Sequence, residues 1–108
     1  MPQAPGEKVI KYDAVFEKKG DMVYISHLDL MTLFRRAIRR SGLPFVITGG
    51  FTPRVKISIP KALKLGRESE NESANLWLSE IKPVDEIRDA VNREMPEGIR
   101  ITEVAEKG

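Results

Sequence analysis

Cysteine is missing from this chain of 108 residues, and histidine occurs once, as His27. Without Cys there is no disulfide framework, thiolate nucleophile, iron–sulfur ligand set or zinc knuckle, and one His does not build a histidine-rich metal site. No metal and no cofactor are expected. Long apolar runs are missing too, since none approaches the roughly 18 residues needed to cross a bilayer. The opening Met1 to Glu7 has neither the basic end nor the apolar stretch of a signal peptide. A soluble, cytoplasmic chain with no membrane partner is therefore expected. Its length suits one domain, residues 1–108, with an ordered core over about 9–104 and loose ends at 1–7 and 105–108.

Acidic residues are absent from one whole segment. Residues 1–34 carry four bases and five acids, residues 35–67 nine bases and no acid, and residues 68–108 five bases and eleven acids. The formal net charge of +2 conceals this segregation. A block of one sign points to a polyanionic partner better than the overall charge does, because binding responds to the local field.

Periodicity orders the chain into six elements. Val9 to Glu17 alternates at the period of a half-buried strand, with Ile10, Tyr12, Ala14 and Phe16 on one side. Lys18 to Asp21 reads as a turn and Met22 to Ile25 as a short extended piece. Ser26 with Asp29 three residues on is a capping-box signature, so a helix is expected from here to Gly42. On its wheel Leu30, Leu33, Phe34, Ala37 and Ile38 share one face and Arg35, Arg36, Arg39 and Arg40 the other. Phe45 to Thr48 and Arg54 to Ile59 are β-prone. Lys61 to Glu72 reads as a long mobile connection, and Ala74 to Glu80 as a strand with Leu76 and Leu78 facing one way and Trp77 the other. A helix over Pro83 to Glu94 and a strand over Ile99 to Val104 complete the order. Burying both apolar helix faces calls for an α+β fold, ferredoxin-like βαββαβ, with a four-stranded antiparallel sheet and two helices on one face.

The residues that could carry chemistry are few. His27 at the first turn of the helix is the one imidazole and a weak catalytic candidate, as the proton acceptor of a metal-independent ribonuclease. Its wheel position favours a packed, hydrogen-bonded histidine instead, and Ser26 and Asp29 are explained as helix caps rather than as triad members. Gly49, Gly50 and Phe51 open a glycine turn that either approaches a phosphate or serves as a hinge between strands, and it lacks the trailing residues of a P-loop. Phe51 either plugs the core or stacks on a base. Tyr12 is expected in the core, whereas Trp77, opposed to Leu76 and Leu78, is expected to meet solvent or a partner. Four arginines on one helix face are the strongest signal, because a face made for solubility would mix Glu with Lys, and Arg favours bidentate phosphate contacts. With Arg54, Lys56, Lys61, Lys64 and Arg67 they form the expected nucleic-acid-binding set.

Ile25-Ser26-His27-Leu28-Asp29-Leu30-Met31, Phe34-Arg35-Arg36-Ala37, Arg39 to Pro44, Gly50 to Ser58, and Leu65 to Ser69 with Glu72 together resemble a bacterial family, the radical-SAM-linked domain of unknown function. Its members are fused to, or encoded beside, a radical S-adenosylmethionine protein. The resemblance runs from about Val9 to Val104 and implies a radical S-adenosylmethionine protein as partner and, through gene neighbourhood with ribonuclease G and ribosomal proteins, a link to RNA. That family usually has Asn and His where this chain has Thr52 and Arg54, so no role of that second His carries over. The family domain is also longer, by roughly as much again, so the chain resembles its first half or a short form. The expected function is an accessory RNA-binding module without catalysis of its own. Its rivals are a ribonuclease using His27 and a protein-interaction domain whose arginine face docks an acidic patch. Oligomeric state is left open.

Overall fold

Alternation along the first strand decides where the core lies. Tyr12, Ala14, Phe16 and Lys18 are buried while the odd-numbered residues between them are half-buried, the period of two that a strand shows when one face is packed. The computed structural model describes residues 9–107. It contains β1 (Ile10–Lys18), α1 (His27–Arg40), β2 (Ile57–Ser58), β3 (Ser69–Leu78), α2 (Val84–Asn92) and β4 (Ile99–Lys107). The expected loose end at 1–7 lies outside the described residues, as does residue 108.

The four strands form one sheet in the order β2-β3-β1-β4, with every pairing antiparallel. Leu30, Phe34, Ala37 and Ile38 of α1 and Ile87, Ala90 and Val91 of α2 share one core with Tyr12, Phe16, Leu76, Leu78 and Ile101. Both helices therefore cover the same face, and the fold is the α+β, ferredoxin-like arrangement expected from the sequence. Phe16 and Phe34 meet edge to face with ring centroids 5.0 Å apart, joining the middle of β1 to the middle of α1. Burying a side chain of that size stabilises the fold by about 1.5–3 kcal/mol. Among the described residues no helix is long and apolar enough to cross a membrane.

Local chemistry sets the ends of α1. The Asp29 N–H donates to the Ser26 hydroxyl at 3.1 Å, and beyond the C-terminus Gly42 takes the left-handed φ of 83° that releases the chain. On the far side, the Asn92 amide accepts from the Ile101 N–H at 2.8 Å and donates to the Ile101 carbonyl at 2.9 Å. It does so where the β1–β4 register shifts, with Val15 opposite Glu103 and Phe16 opposite Ile101. Thr102 is the extra residue of a bulge, and beside it the end of α2 supplies hydrogen-bond partners to the backbone of Ile101 on the edge strand.

Several boundaries depart from the sequence reading. Lys18 is the last residue of β1 rather than part of a turn, and of the expected extended piece Met22 to Ile25 only Ile25 is extended, because Gly20–Tyr24 form a 3-10 turn. The edge expected from Phe45–Thr48 and Arg54–Ile59 is reduced to single bridges, Phe45 to Leu78 and Ile47 to Val55, and the two-residue β2. Glycines 49 and 50 and prolines 53 and 60 cut this stretch too short for a regular strand. β3 begins at Ser69, so the last third of the Lys61–Glu72 connection is strand. β4 continues to Lys107, opposite Lys11, so residues 105–107 are paired rather than loose.

Candidate functional site

α1 presents its arginines unequally. Arg36, Arg39 and Arg40 are exposed, while Arg35 is half-buried, with a buried Nε that has no hydrogen-bond partner. Burial first, and the nearby charge of Arg54 second, hold the Arg35 guanidinium below the ordinary arginine range. The guanidinium of Arg39 lies 5.8 Å from the Phe45 ring centroid, a cation–π distance that joins the end of α1 to the irregular edge. Among the described residues none of the nine bases between 35 and 67 forms an ion pair with a carboxylate.

The same edge carries the band round to the open face of the sheet. The Val46 N–H donates to the Trp77 carbonyl, and the Lys56 N–H donates to the Val46 carbonyl. This brings the Lys56 ammonium to 4.8 Å from the Trp77 ring centroid, with Lys11 of the neighbouring strand at 5.7 Å. Trp77 does turn away from Leu76 and Leu78 as the alternation demands. It is half-buried rather than open, with both ammonium groups over its ring. At the tip, Thr48 closes the loop by a backbone bond of 2.7 Å to the Arg54 carbonyl, Gly50 takes a φ of 102°, and Phe51 is fully exposed. Phe51 therefore does not plug the core. Residues 49–53 form a turn between two bridged segments, with an aromatic ring and Arg54 at its rim.

A family model for an uncharacterized protein conserved in bacteria, DUF2344, matches residues 11–108. The chain belongs to the DUF2344 family. No curated protein matches it. The DUF2344 match spans both helices and all four strands apart from the first residue of β1.

Lys61, Lys64 and Arg67 do not join the band. They line a cavity with Lys18, which pairs with Ser69 at one end of the β1–β3 ladder, while Lys11 pairs with Trp77 near the other. Seven residues of strand separate the two ends, roughly 23 Å at about 3.3 Å per residue. The connection is also fastened rather than loose. The Lys18 ammonium donates to the Lys64 carbonyl at 2.7 Å, the Gly66 N–H to the Val23 carbonyl at 2.7 Å, and the Gly20 N–H to Glu68 at 3.1 Å.

His27 is exposed at the first residue of α1, not packed against the core. The wheel places it on the side of Phe34 and Ile38, but His27, Leu28 and Asp29 are all exposed and the packed stretch of α1 begins only at Leu30. Ser26 acts as the expected cap, its hydroxyl accepting from the Asp29 N–H. Tyr12 is fully buried, its hydroxyl accepting from the Lys82 N–H at 3.1 Å. Among the described residues no three metal-ligating side chains gather at one place. Sequence reasoning missed Lys18 and Lys11. The signal for Lys18 was present, since it continues the even-numbered, core-facing register of Tyr12, Ala14 and Phe16.

Proposed function

We propose that the chain is an accessory RNA-binding module whose interface is the band from Arg36, Arg39 and Arg40 through Arg35 and Arg54 to Lys56, Lys11 and Trp77. The observation that supports this best is the lack, among the described residues, of carboxylate ion-pair partners along the band. An arginine-rich surface serving only solubility gains from interleaved acids, whereas one that meets phosphates keeps its cations free. The aromatic groups fit the same reading. Phe51 offers a bare ring at the tip and Trp77 a ring flanked by cations, and base stacking on aromatic side chains is how single-stranded RNA is held without sequence preference. Ferredoxin-like sheets of other RNA-binding modules use aromatics on the open face in this way.

The partnership with a radical S-adenosylmethionine protein rests on the sequence resemblance described above, and with it the module would position RNA for chemistry done elsewhere. The ribonuclease reading has less support, since His27 stands at the far end of α1 from Arg39 and Arg40. Titration of a fluorescent single-stranded RNA with the full chain at several salt concentrations tests the proposal. If about four phosphates are neutralised, log affinity falls against log salt with a slope of about −3. Absence of binding at low salt would overturn it.

A further inference from the structure

Lys18 ends β1 on its core-facing side and is 1% exposed, yet it forms no ion pair with a carboxylate among the described residues. Its ammonium donates to the Lys64 carbonyl at 2.7 Å and, more weakly, to the Val23 carbonyl at 3.4 Å. Those bonds use two of its three N–H groups, and carbonyl dipoles meet a buried charge only in part. Lys18 lines a cavity of about 340 Å³ to which the connection after β2 adds Lys61, Lys64 and Arg67. Glu68 and Glu72 line it as well, but each already accepts a hydrogen bond, Glu68 from the Gly20 N–H and Glu72 from the Ser69 hydroxyl. Four cations against two engaged carboxylates leave the cavity positive around its buried lysine.

We propose that this cavity binds the phosphate group of a small phosphorylated molecule, with Lys18 as the buried contact and Lys61 and Arg67 as the outer ones. A dianionic, multiply accepting group suits several converging cations better than a single carboxylate does, and an arginine fork pairs with phosphate oxygens two at a time. The volume falls at the small end of ligand pockets, which fits a compact molecule rather than a polymer strand. The remaining lone pairs of Glu68 and Glu72 suit hydroxyl groups on the same ligand. This site is independent of the arginine band, which lies toward the opposite end of the β1–β3 ladder.

The full chain is titrated calorimetrically at low ionic strength with inorganic phosphate, ribose 5-phosphate, ribose, and a trinucleotide with and without a 5′-phosphate. Inorganic phosphate and ribose 5-phosphate should bind saturably and ribose should not. Lys18→Met should weaken ribose 5-phosphate by about tenfold or more, the effect of losing a charge-assisted hydrogen bond. Because Lys18 is buried, the exposed pair Lys61→Ala with Arg67→Ala serves as the second variant, with a similar loss and an intact fold. Arg36→Glu with Arg39→Glu should leave ribose 5-phosphate affinity unchanged while RNA binding falls, which separates this site from the RNA interface. No saturable binding of either phosphate compound, or undiminished affinity in the Lys61/Arg67 variant, would overturn the proposal. Tighter, competing binding of the 5′-phosphorylated trinucleotide would assign the cavity to an RNA end instead.

Discussion

Arg54 stands close enough to Arg35 that its charge adds to burial in holding the Arg35 guanidinium below its ordinary range, and among the described residues no carboxylate forms an ion pair with either. A like-charge pair bridging α1 and the irregular edge is a cost to the folded state. An anion bound between the two guanidinium groups would offset that cost. Arg54→Gln is therefore expected to leave the urea midpoint unchanged or slightly higher while weakening RNA binding, and a lower midpoint would show that Arg54 supports the fold instead.

The Asn92–Ile101 bridge is expected to matter for stability out of proportion to its exposure. Asn92→Ala removes both partners of a backbone unit at the β4 bulge. Leaving such groups unsatisfied costs about 1–3 kcal/mol, read from urea unfolding. Asn92→Asp, which keeps the acceptor for the Ile101 N–H, should lose less.

Gly98 and Gly50 form a matched test of two kinds of glycine. Both have positive φ, 100° and 102°, but a Cβ on Gly98 would sit 2.6 Å from the Lys19 carbonyl oxygen, whereas one on Gly50 meets nothing within 4 Å. Gly50→Ala should cost only the backbone strain, about 1–2 kcal/mol. Gly98→Ala should cost more, because the backbone between β1 and the 3-10 turn has to move. Equal costs in thermal unfolding would show that the Gly98 contact relaxes freely.

His27→Ala is expected to change unfolding free energy by less than about 0.5 kcal/mol, as for other exposed positions. A larger loss would mean that the ring is packed in solution. Should the wild type cleave RNA and this variant fail to, the ribonuclease reading would replace the accessory one.

The alternation of β1 and of the second half of β3, the 3.6-residue face of α1 and the Ser26 cap were legible in the sequence, because each is a local pattern of period or of capping residue. From them the layer arrangement followed. The irregular edge was not legible, since β propensity over 45–59 says nothing of how far a stretch broken by glycine and proline can pair. The basic block could be seen as a run of composition, but its division into a band over α1 and a cavity around Lys18 depends on which strand ends lie together. Lys18 itself was passed over because a charged residue at a strand's end, followed by Lys19 and Gly20, has the composition of a turn.

The measurement closest to the central claim is the salt dependence of single-stranded RNA binding for the wild type and for the variant Arg36→Glu with Arg39→Glu. Both side chains are exposed on α1, opposite Leu30, Phe34 and Ala37, so the variant should fold as the wild type does. The account predicts that the slope of log affinity against log salt flattens by about one to two units and that binding weakens similarly for all sequences, because phosphate contacts carry little base information. A folded variant with unchanged affinity and slope would contradict it and leave docking of an acidic protein surface as the better use of the arginine face.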